Sequence, residues 1–300
     1  MFFKVDNKKL DSYSRSKTKN EEESAKIIGK KSIAKIKSKE KQSNIKLLIK
    51  GLGDNNGLVR RSYAEKLGKI GSEALPELIH ALLNSKNVIQ RRAAAKTLKL
   101  VEDPTALPHL IKALTNDSDM VVQCSAAGAI AIFGEDAVKH LVIVLENQEH
   151  TEMQHGLAAW CLSFIGANAT DAIKKAAKSK NIKVKSAAIS ALEEHIKQSK
   201  DQDAIELVEN AINDKNEIVQ VEAIRLVGKL YKIESFIPIL IGQLKNKNTD
   251  IRKASILSLM QLNIKEALNQ LKDLFAVEDD KNIKKIVELA IKKLDDEEKT

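Results

Sequence analysis

Aromatic residues, proline and cysteine are all scarce in this chain of 300 residues. Aromatics amount to 3% of the residues, and there are only four prolines and two cysteines. So little proline, together with a modest glycine content, favours helices with short connections over a β-rich fold. Because 43% of the residues are hydrophobic, Ile, Leu, Val and Ala can still supply a core.

Signals for disulfides, zinc, secretion and membrane insertion are also missing. Cys124 and Cys161 form no CxxC pair, so neither a disulfide framework nor a zinc site is expected. The N-terminus turns charged at Lys4 without an apolar stretch, and no apolar run is long enough to span a membrane. By elimination, we expect a cytoplasmic protein.

The short motifs that usually mark catalysis or cofactor binding do not occur. The sequence contains no GxGxxG, Walker A, HExxH or GxSxG string. The six histidines are scattered and suit surface positions better than metal ligation. We therefore predict no catalytic residue, no metal and no cofactor, and a chain that is not an enzyme.

Basic residues are in excess, but only at one end of the chain. Residues 1–50 contain 15 Lys and Arg against 6 Asp and Glu, whereas residues 51–300 contain 35 of each. The formal charge of +9 therefore belongs to the N-terminal segment. We interpret residues 1–42 as a largely disordered basic arm. A helix begun at Asn20 could cover the end of the fold, or the arm could dock on an acidic partner or nucleic acid.

A short pattern recurs through most of the chain. An aliphatic residue or Met precedes a long polar or basic residue, and small and aliphatic residues follow. The pattern returns about every 32 residues, which is typical of helical repeat arrays. Its first two positions are Val59-Arg60, Ile89-Gln90, Val122-Gln123, Met153-Gln154, Val184-Lys185, Val219-Gln220, Ile251-Arg252 and Ile283-Lys284.

Each repeat contains two helical stretches. Residues 74–79 and 106–111 share the string Ala-Leu-Pro-x-Leu-Ile and begin a first helix, where the missing N–H of proline has no partner to lose. In the second stretch, Ile251, Ala254 and Leu259 follow the spacing of one helix face. Asn and Asp punctuate the turns and are expected to cap the helix that follows.

These features predict an all-α solenoid over residues 43–295, built from about eight helix pairs. A single pair cannot bury its apolar face, so each pair has to pack on its neighbours. Residues 296–300 are predicted to form an acidic, frayed tail.

The repeat resembles a known family. The string from Val59 to Gly68, followed by Ala74-Leu75-Pro76, is similar to a HEAT repeat, and the variant resembles the short HEAT-like repeats of the bilin-lyase-like families. The resemblance implies a right-handed superhelix whose second helices line the concave face. HEAT-like arrays serve as scaffolds, transport factors, lyases and DNA-repair enzymes, so the resemblance implies a fold rather than one function.

The second helices of the first two repeats carry a basic face. Arg61, Arg92 and Lys96 are candidates to bind an acidic protein partner or the phosphates of a nucleic acid. Other basic residues, Arg60 above all, are expected to join neighbouring repeats through turn Asp or Asn residues. A solvated face without a ligand is the alternative.

The second helices of repeats 3 and 4 carry no charge over residues 120–134 and 153–170. They could form an apolar groove, be buried by the arm or a second copy, or simply be alanine-rich packing helices. Gly128 and Gly156 each cost a helix about 1 kcal/mol relative to Ala, which suggests that something packs closely there. A lone tryptophan is also typical of a helix-packed core. The candidate groove residues are Gln123, Gly128, Gln154, His155, Trp160 and Phe164, of which Gln123, Gln154, His155 and Trp160 are predicted to bind the partner.

Three functions are compatible with these features. The preferred one is a non-enzymatic scaffold that recognises a protein partner in its concave groove. The second is a nucleic-acid-binding protein that uses the basic arm and repeats 1 and 2. The third is a lyase-like HEAT-repeat enzyme or its accessory subunit, although no single residue argues for it.

Overall fold

A computed structural model describes residues 39–296, with side chains through residue 295. In this range the regular secondary structure is helical, and no strand occurs. The described α-helices are α1 (39–51), α2 (Gly57–Ile70), α3 (Leu75–Asn84), α4 (Val88–Val101), α5 (Leu107–Asn116), α6 (Met120–Ile130), α7 (Glu135–Glu146), α8 (Glu152–Ile165), α9 (Thr170–Ala176), α10 (Ile182–Ala191), α11 (Glu193–Ser199), α12 (Gln202–Ile212), α13 (Glu217–Lys229), α14 (Phe236–Gln243), α15 (Thr249–Gln261), α16 (Leu268–Val277) and α17 (Lys281–Asp296).

The predicted ends fall largely outside this range. Residues 1–38 of the basic arm and residues 297–300 of the acidic tail are not among the described residues. Residues 39–42 belong to α1, so the first helix already includes the last part of the predicted arm.

The helices form eight consecutive pairs, which confirms the predicted all-α solenoid. The pairs are α1/α2, α3/α4, α5/α6, α7/α8, α9/α10, α12/α13, α14/α15 and α16/α17. The short helix α11 is an addition between the fifth and sixth pairs. Within the described range, no helix is both long and apolar enough to cross a membrane.

The second helices form the inner layer of the stack. Successive second helices contact one another more extensively than successive first helices do. In a curved stack the layer with the closer spacing lies on the inside, because both layers contain the same number of helices. The concave surface is therefore built from α2, α4, α6, α8, α10, α13, α15 and α17, as the resemblance implied.

One position near the start of the second helix, here called the ladder position, fixes the register of the repeats. Its side chain donates a hydrogen bond to the carbonyl oxygen six residues earlier, in the turn before its own helix. Such bonds join Arg60 to Asp54 (2.7 Å), Arg91 to Ser85 (2.9 Å), Gln123 to Asp117 (2.8 Å), Gln220 to Asp214 (2.6 Å) and Arg252 to Asn246 (3.0 Å).

This register corrects the sequence pattern in the second and fourth repeats. The ladder residues there are Arg91 and His155, one residue later than the pattern placed them. His155 Nε2 lies 2.9 Å from the carbonyl oxygen of Asn147, which is eight residues earlier rather than six. The sequence alone misplaced the register because a glutamine precedes each of these residues and resembles a ladder residue.

Those two glutamines make a different contact, which joins adjacent repeats. Gln90 Nε2 donates to the carbonyl oxygen of Ile49 at 2.7 Å, and Gln154 Nε2 donates to that of Thr115 at 2.6 Å. Each acceptor is near the end of the first helix of the preceding repeat. The amide therefore satisfies a helix-end carbonyl group that would otherwise lack a partner.

Carboxylates of the next turn bind several ladder residues and tie the repeats together. The Arg91 guanidinium donates to both carboxylate oxygens of Asp117 at 2.8 and 3.0 Å, and Arg252 binds Glu278 in the same way. Arg60, which was expected to make such a contact, instead binds the carbonyl groups of its own turn. That expectation was wrong for Arg60 and holds for Arg91 and Arg252.

Capping follows the prediction from the turn residues. Polar side chains at the start of the second helices accept hydrogen bonds from backbone N–H groups that lack intrahelical partners. The caps are Asn56, Asn87, Asp119, Asn181, Asn216 and Asn248. Pro76 and Pro108 lie in the first turn of their helices, where proline is tolerated.

Candidate functional site

Four positions of each second helix face the concave surface. Counted from the ladder residue, they lie two residues before it and one, five and nine residues after it. On α8 these positions are Met153, Gly156, Trp160 and Phe164, and all four are exposed while the opposite face of the helix is buried. Equivalent positions on neighbouring second helices lie side by side, so they form rows across the concave surface.

Trp160 and Phe164 form an exposed aromatic pair on this surface. Their ring centroids lie 5.7 Å apart with an angle of 29° between the ring planes. The side chains are 49% and 60% exposed, so neither ring belongs to the core. The interpretation of Trp160 as a core tryptophan is therefore wrong. Two large rings facing solvent together offer a flat apolar platform.

Two glycines border the aromatic pair and leave open space. Gly156 lies one turn before Trp160 on α8, and Gly128 occupies the position of Trp160 on α6. A Cβ atom built at either glycine would meet no atom within 4 Å. No part of the described chain packs against these glycines, contrary to the expectation of a close contact.

A groove of about 500 Å³ continues the concave surface towards the first repeats. Lys96 occupies the position of Trp160 on α4, two second helices away, and Gly128 lies between them. At 8–10 Å between packed helices, Lys96 and Trp160 are separated by about 16–20 Å. The lining of the groove includes Arg61, Arg92, Lys96, Leu100 and Val121.

Only one of the three predicted basic residues keeps an unpaired charge. Arg92 donates to both carboxylate oxygens of Asp119 at 3.0 and 2.7 Å, and Arg61 pairs with Glu65 at 2.8 Å. Lys96 forms no ion pair with any described residue and is exposed. Of the three predicted residues, only Lys96 therefore presents an unpaired charge in the groove. Arg60 also lines the groove, and its guanidinium group binds backbone carbonyl groups rather than a carboxylate.

The pairing of Arg92 with Asp119 makes stability depend on acid pH. Hydrogen bonds from Arg92 lower the pKa of Asp119 to about 2. A carboxyl group whose pKa is lower in the folded state stabilises the fold above its unfolded pKa, and this stabilisation is lost as pH falls through the folded pKa. We expect stability to fall between about pH 4 and pH 2 for this reason.

Asp119→Asn tests this prediction, because asparagine keeps the helix cap and removes the charge. Urea unfolding at pH 5 and pH 3 should show a smaller drop in stability for the variant than for the unaltered chain. An equal drop in both proteins would show that Asp119 does not contribute to the pH dependence.

Three other predicted groove residues are held away from the ligand-accessible surface. Gln154 and His155 are 8% and 5% exposed, and both are bound to backbone carbonyl groups. Gln123 is half-buried at the ladder position of α6. These side chains stabilise the repeats, so the structure does not bring them into the groove.

Sequence reasoning missed Leu100, which is exposed on the concave surface of α4. It lies nine residues after the ladder residue Arg91, just as Phe164 lies nine after His155. The equivalence is also present in the sequence pattern, because Leu100 and Phe164 each lie ten residues after its glutamine, Gln90 or Gln154. Only the structure shows that this position is exposed on the concave surface.

The two cysteines differ in accessibility, and this provides a test of the packing. Cys124 is exposed on the concave surface, whereas Cys161 is fully buried and its Sγ lies 3.3 Å from the carbonyl oxygen of Ala127. Burial raises the pKa of the Cys161 thiol to about 12. Ellman's reagent should therefore modify one thiol in the folded chain and two after denaturation. Cys124→Ser should abolish the reaction of the folded chain, and rapid residual labelling would contradict this assignment.

The family of the chain follows from its repeats. A family model described as HEAT repeats matches residues 45–131, 75–156 and 205–292. Together these matches cover more than half of the chain.

Comparison with individual proteins gives a closer relationship. The bilin biosynthesis protein MpeU of Synechococcus sp. (strain WH8020) is 39% identical over 247 residues, which cover 82% of this chain and 83% of that protein. The complex of CpcE and CpcF of phycocyanin lyase from Nostoc sp. PCC7120 is 19% identical and covers 61% of this chain and 98% of that chain, with a TM-score of 0.32. Yeast importin-beta (Kap95p) is 13% identical and covers 84% of this chain and 41% of that chain, with a TM-score of 0.48.

The relationship to MpeU overturns the preferred functional prediction. A non-enzymatic scaffold and a chain that is not an enzyme were expected because no catalytic motif occurs. That inference was wrong, because a solenoid assembles its surfaces from residues about one repeat apart, and short motifs do not reveal such surfaces. With HEAT repeats matched over most of its length and a relative at 39% identity, the chain belongs to the HEAT-repeat family and, within it, to the family of the bilin biosynthesis protein MpeU.

Proposed function

We propose that this chain is a lyase-type protein of bilin biosynthesis, as the enzyme itself or as an accessory subunit, and that it binds a bilin on its concave surface. The observation that carries the proposal is the 39% identity to a bilin biosynthesis protein over 83% of that protein's length. Identity spread over so much of both chains concerns the whole solenoid rather than one shared repeat.

The exposed surface suits the chemistry of a bilin. Bilins are open-chain tetrapyrroles with a flat conjugated ring system and two propionate groups. The Trp160–Phe164 pair can stack on such rings, and the ammonium group of Lys96 can bind a propionate. Ligand sites commonly combine apolar walls with a few charged groups in this way.

The spacing of these groups also supports the proposal. Lys96 and Trp160 stand two helices apart, about 16–20 Å, and the glycine between them leaves the path open. The propionates are on the two central rings of a tetrapyrrole, so a terminal ring stacked on Trp160 leaves a carboxylate part-way along this path, where the flexible Lys96 side chain can reach it. Because the charge and the aromatic platform lie at opposite ends, one ligand can contact both at once.

A lyase-type role also needs a protein partner, which in this proposal is the protein that receives the bilin. Beyond Trp160 the concave surface changes from uncharged to mixed charge, on α13 and α15. Groups of both signs line a groove there, which suits a protein surface better than a conjugated ligand. They include Glu222, Arg225, Lys229, Asp250 and Lys253.

Titration of the full chain with biliverdin tests the binding step. Trp160 is the single tryptophan of the chain, so its emission reports directly on a ring stacked against it. We expect saturable quenching together with a shift of the biliverdin absorption band. Quenching that rises linearly, as for free tryptophan in solution, would contradict the proposed site.

The lyase-type role has its own test. A bilin and a phycobiliprotein apo-subunit are incubated with and without the chain, and the mass of the subunit is measured after denaturation. We expect the chain, alone or together with a second lyase subunit, to accelerate covalent attachment. Binding of biliverdin without acceleration in either mixture would limit the chain to bilin binding and refute the lyase-type role.

A further inference from the structure

We propose that Gly128 and Gly156 are specificity-determining residues that keep open a slot between Lys96 and Trp160 for the flat face of an open-chain tetrapyrrole. The slot is the stretch of concave surface from Lys96 on α4 across Gly128 on α6 to Trp160 on α8. This inference rests on the proposed function and assigns a role to two residues that the fold does not require.

Several other glycines of the chain have a clear structural reason. A Cβ at Gly68 would lie 2.9 Å from Leu100 Cβ, and a Cβ at Gly228 would lie 2.6 Å from Ser258 Oγ. At Gly134, φ is 54°, in the left-handed region that side chains disfavour. Glycine is needed at these positions either by close packing or by the backbone.

Neither reason applies to Gly128 or Gly156. Both lie inside helices, neither is among the positive-φ residues, and a Cβ at either would meet no atom within 4 Å. Glycine inside a helix is less stable than alanine, because it loses more backbone entropy on folding. The folded chain therefore loses stability at two positions without any gain in its own packing.

The location of the two glycines on the concave surface gives them a role in ligand binding. Gly128 lies in the same row as Lys96 and Trp160, directly between them. Gly156 lies one helical turn before Trp160 on the same face of α8. Any side chain at residue 128 would stand in the slot, and one at residue 156 would narrow it next to the platform.

The shape of the slot selects a class of ligand. A thin, flat, conjugated molecule can pass over Gly128 and place one face on the Trp160 ring, whereas a thick or branched apolar molecule does not match a flat aromatic wall. The free ammonium group at the other end favours a ligand with a carboxylate far from the stacked ring. An open-chain tetrapyrrole with propionates has both properties.

Alanine substitutions separate this role from a role in folding. Gly128→Ala and Gly156→Ala should raise the Tm by about 1–3 °C, because alanine favours the helix. The same variants should bind biliverdin about tenfold more weakly, because a methyl group enters the slot. Gly128→Leu should remove measurable binding while the helical circular dichroism signal stays unchanged.

Gly242→Ala is the matched control. Gly242 also lies in a helix, α14, with no atom within 4 Å of a built Cβ, but α14 is a first helix outside the concave surface. This variant should gain stability and bind biliverdin as the unaltered chain does.

The outcomes distinguish this inference from the proposed function. Absence of biliverdin binding by the unaltered chain would refute the proposed site and this inference with it. If the unaltered chain binds while Gly128→Ala, Gly156→Ala and Gly128→Leu bind equally well, the two glycines have no role in specificity and the bilin site stands without them.

Discussion

Replacing Trp160 with alanine is expected to weaken biliverdin binding by about 10- to 100-fold, because stacking on one aromatic side chain contributes roughly 1–3 kcal/mol. The side chain is half exposed and stacks on Phe164, so its removal should destabilise the fold less than removal of a buried tryptophan would. Because the variant has no tryptophan emission, binding is measured from the absorption band of biliverdin.

Two controls sharpen this result. Trp160→Phe keeps a flat ring and should retain most of the affinity. Lys96→Ala should weaken binding through loss of the propionate contact, whereas Lys139→Ala, an exposed lysine on the first helix α7, should not. Equal binding by Trp160→Ala and the unaltered chain would remove the aromatic platform from the site.

Replacing Asp117 with alanine is expected to destabilise the fold by about 3 kcal/mol. Asp117 and Arg91 are 7% and 14% exposed and form a two-fold hydrogen-bonded ion pair between the second and third repeats. Removing one partner of a buried pair leaves the other charge without compensation, which typically costs about 3–5 kcal/mol. Asp117 also accepts a hydrogen bond from the backbone N–H of Asp119, so its turn loses a second contact.

Urea unfolding measures the total effect, and hydrogen exchange locates it. Since each repeat contacts only its neighbours, exchange should accelerate first in α4, α5 and α6. Glu65→Ala is the matched control, because Glu65 and Arg61 form an exposed pair and such pairs contribute about 0–1 kcal/mol. If Asp117→Ala and Glu65→Ala lower the free energy of unfolding by similar amounts, burial of the Arg91–Asp117 pair does not increase its contribution to stability.

The alignment of successive repeats brings residues that are distant in sequence together on one surface. The site groups Lys96, Gly128 and Trp160 are about 32 residues apart in sequence yet occupy one row on the surface. No local motif joins them, because each belongs to a separate helix pair. A search for short catalytic motifs therefore did not reveal the relationship to a bilin biosynthesis protein, which the 39% sequence identity indicates.

The ladder position of the second and fourth repeats lies one residue later than the sequence pattern places it. The repeat pattern predicts Gln90 and Gln154 at the ladder position, because each is a long polar residue that follows an aliphatic residue or Met. Hydrogen bonds assign the role to Arg91 and His155 instead. A shift of one residue on a helix turns a side chain by about 100°, which moves it from one surface to another. Gln154 and His155 were expected in the groove because their helix carries no charge, whereas the structure buries both side chains.

The sequence by itself determined the all-α solenoid and its eight helix pairs. The turn Asn and Asp residues and the helix-start prolines set where each helix begins and ends, and their return about every 32 residues sets the repeat. It also singled out Trp160 and the uncharged helices around it. Only the tertiary structure decided that Trp160 faces outward, that Arg92 is neutralised and that Gln154 and His155 are buried. Those outcomes depend on how each helix is oriented about its own axis. They also depend on side chains of the next repeat, such as Asp119, which the sequence of a single helix pair does not include.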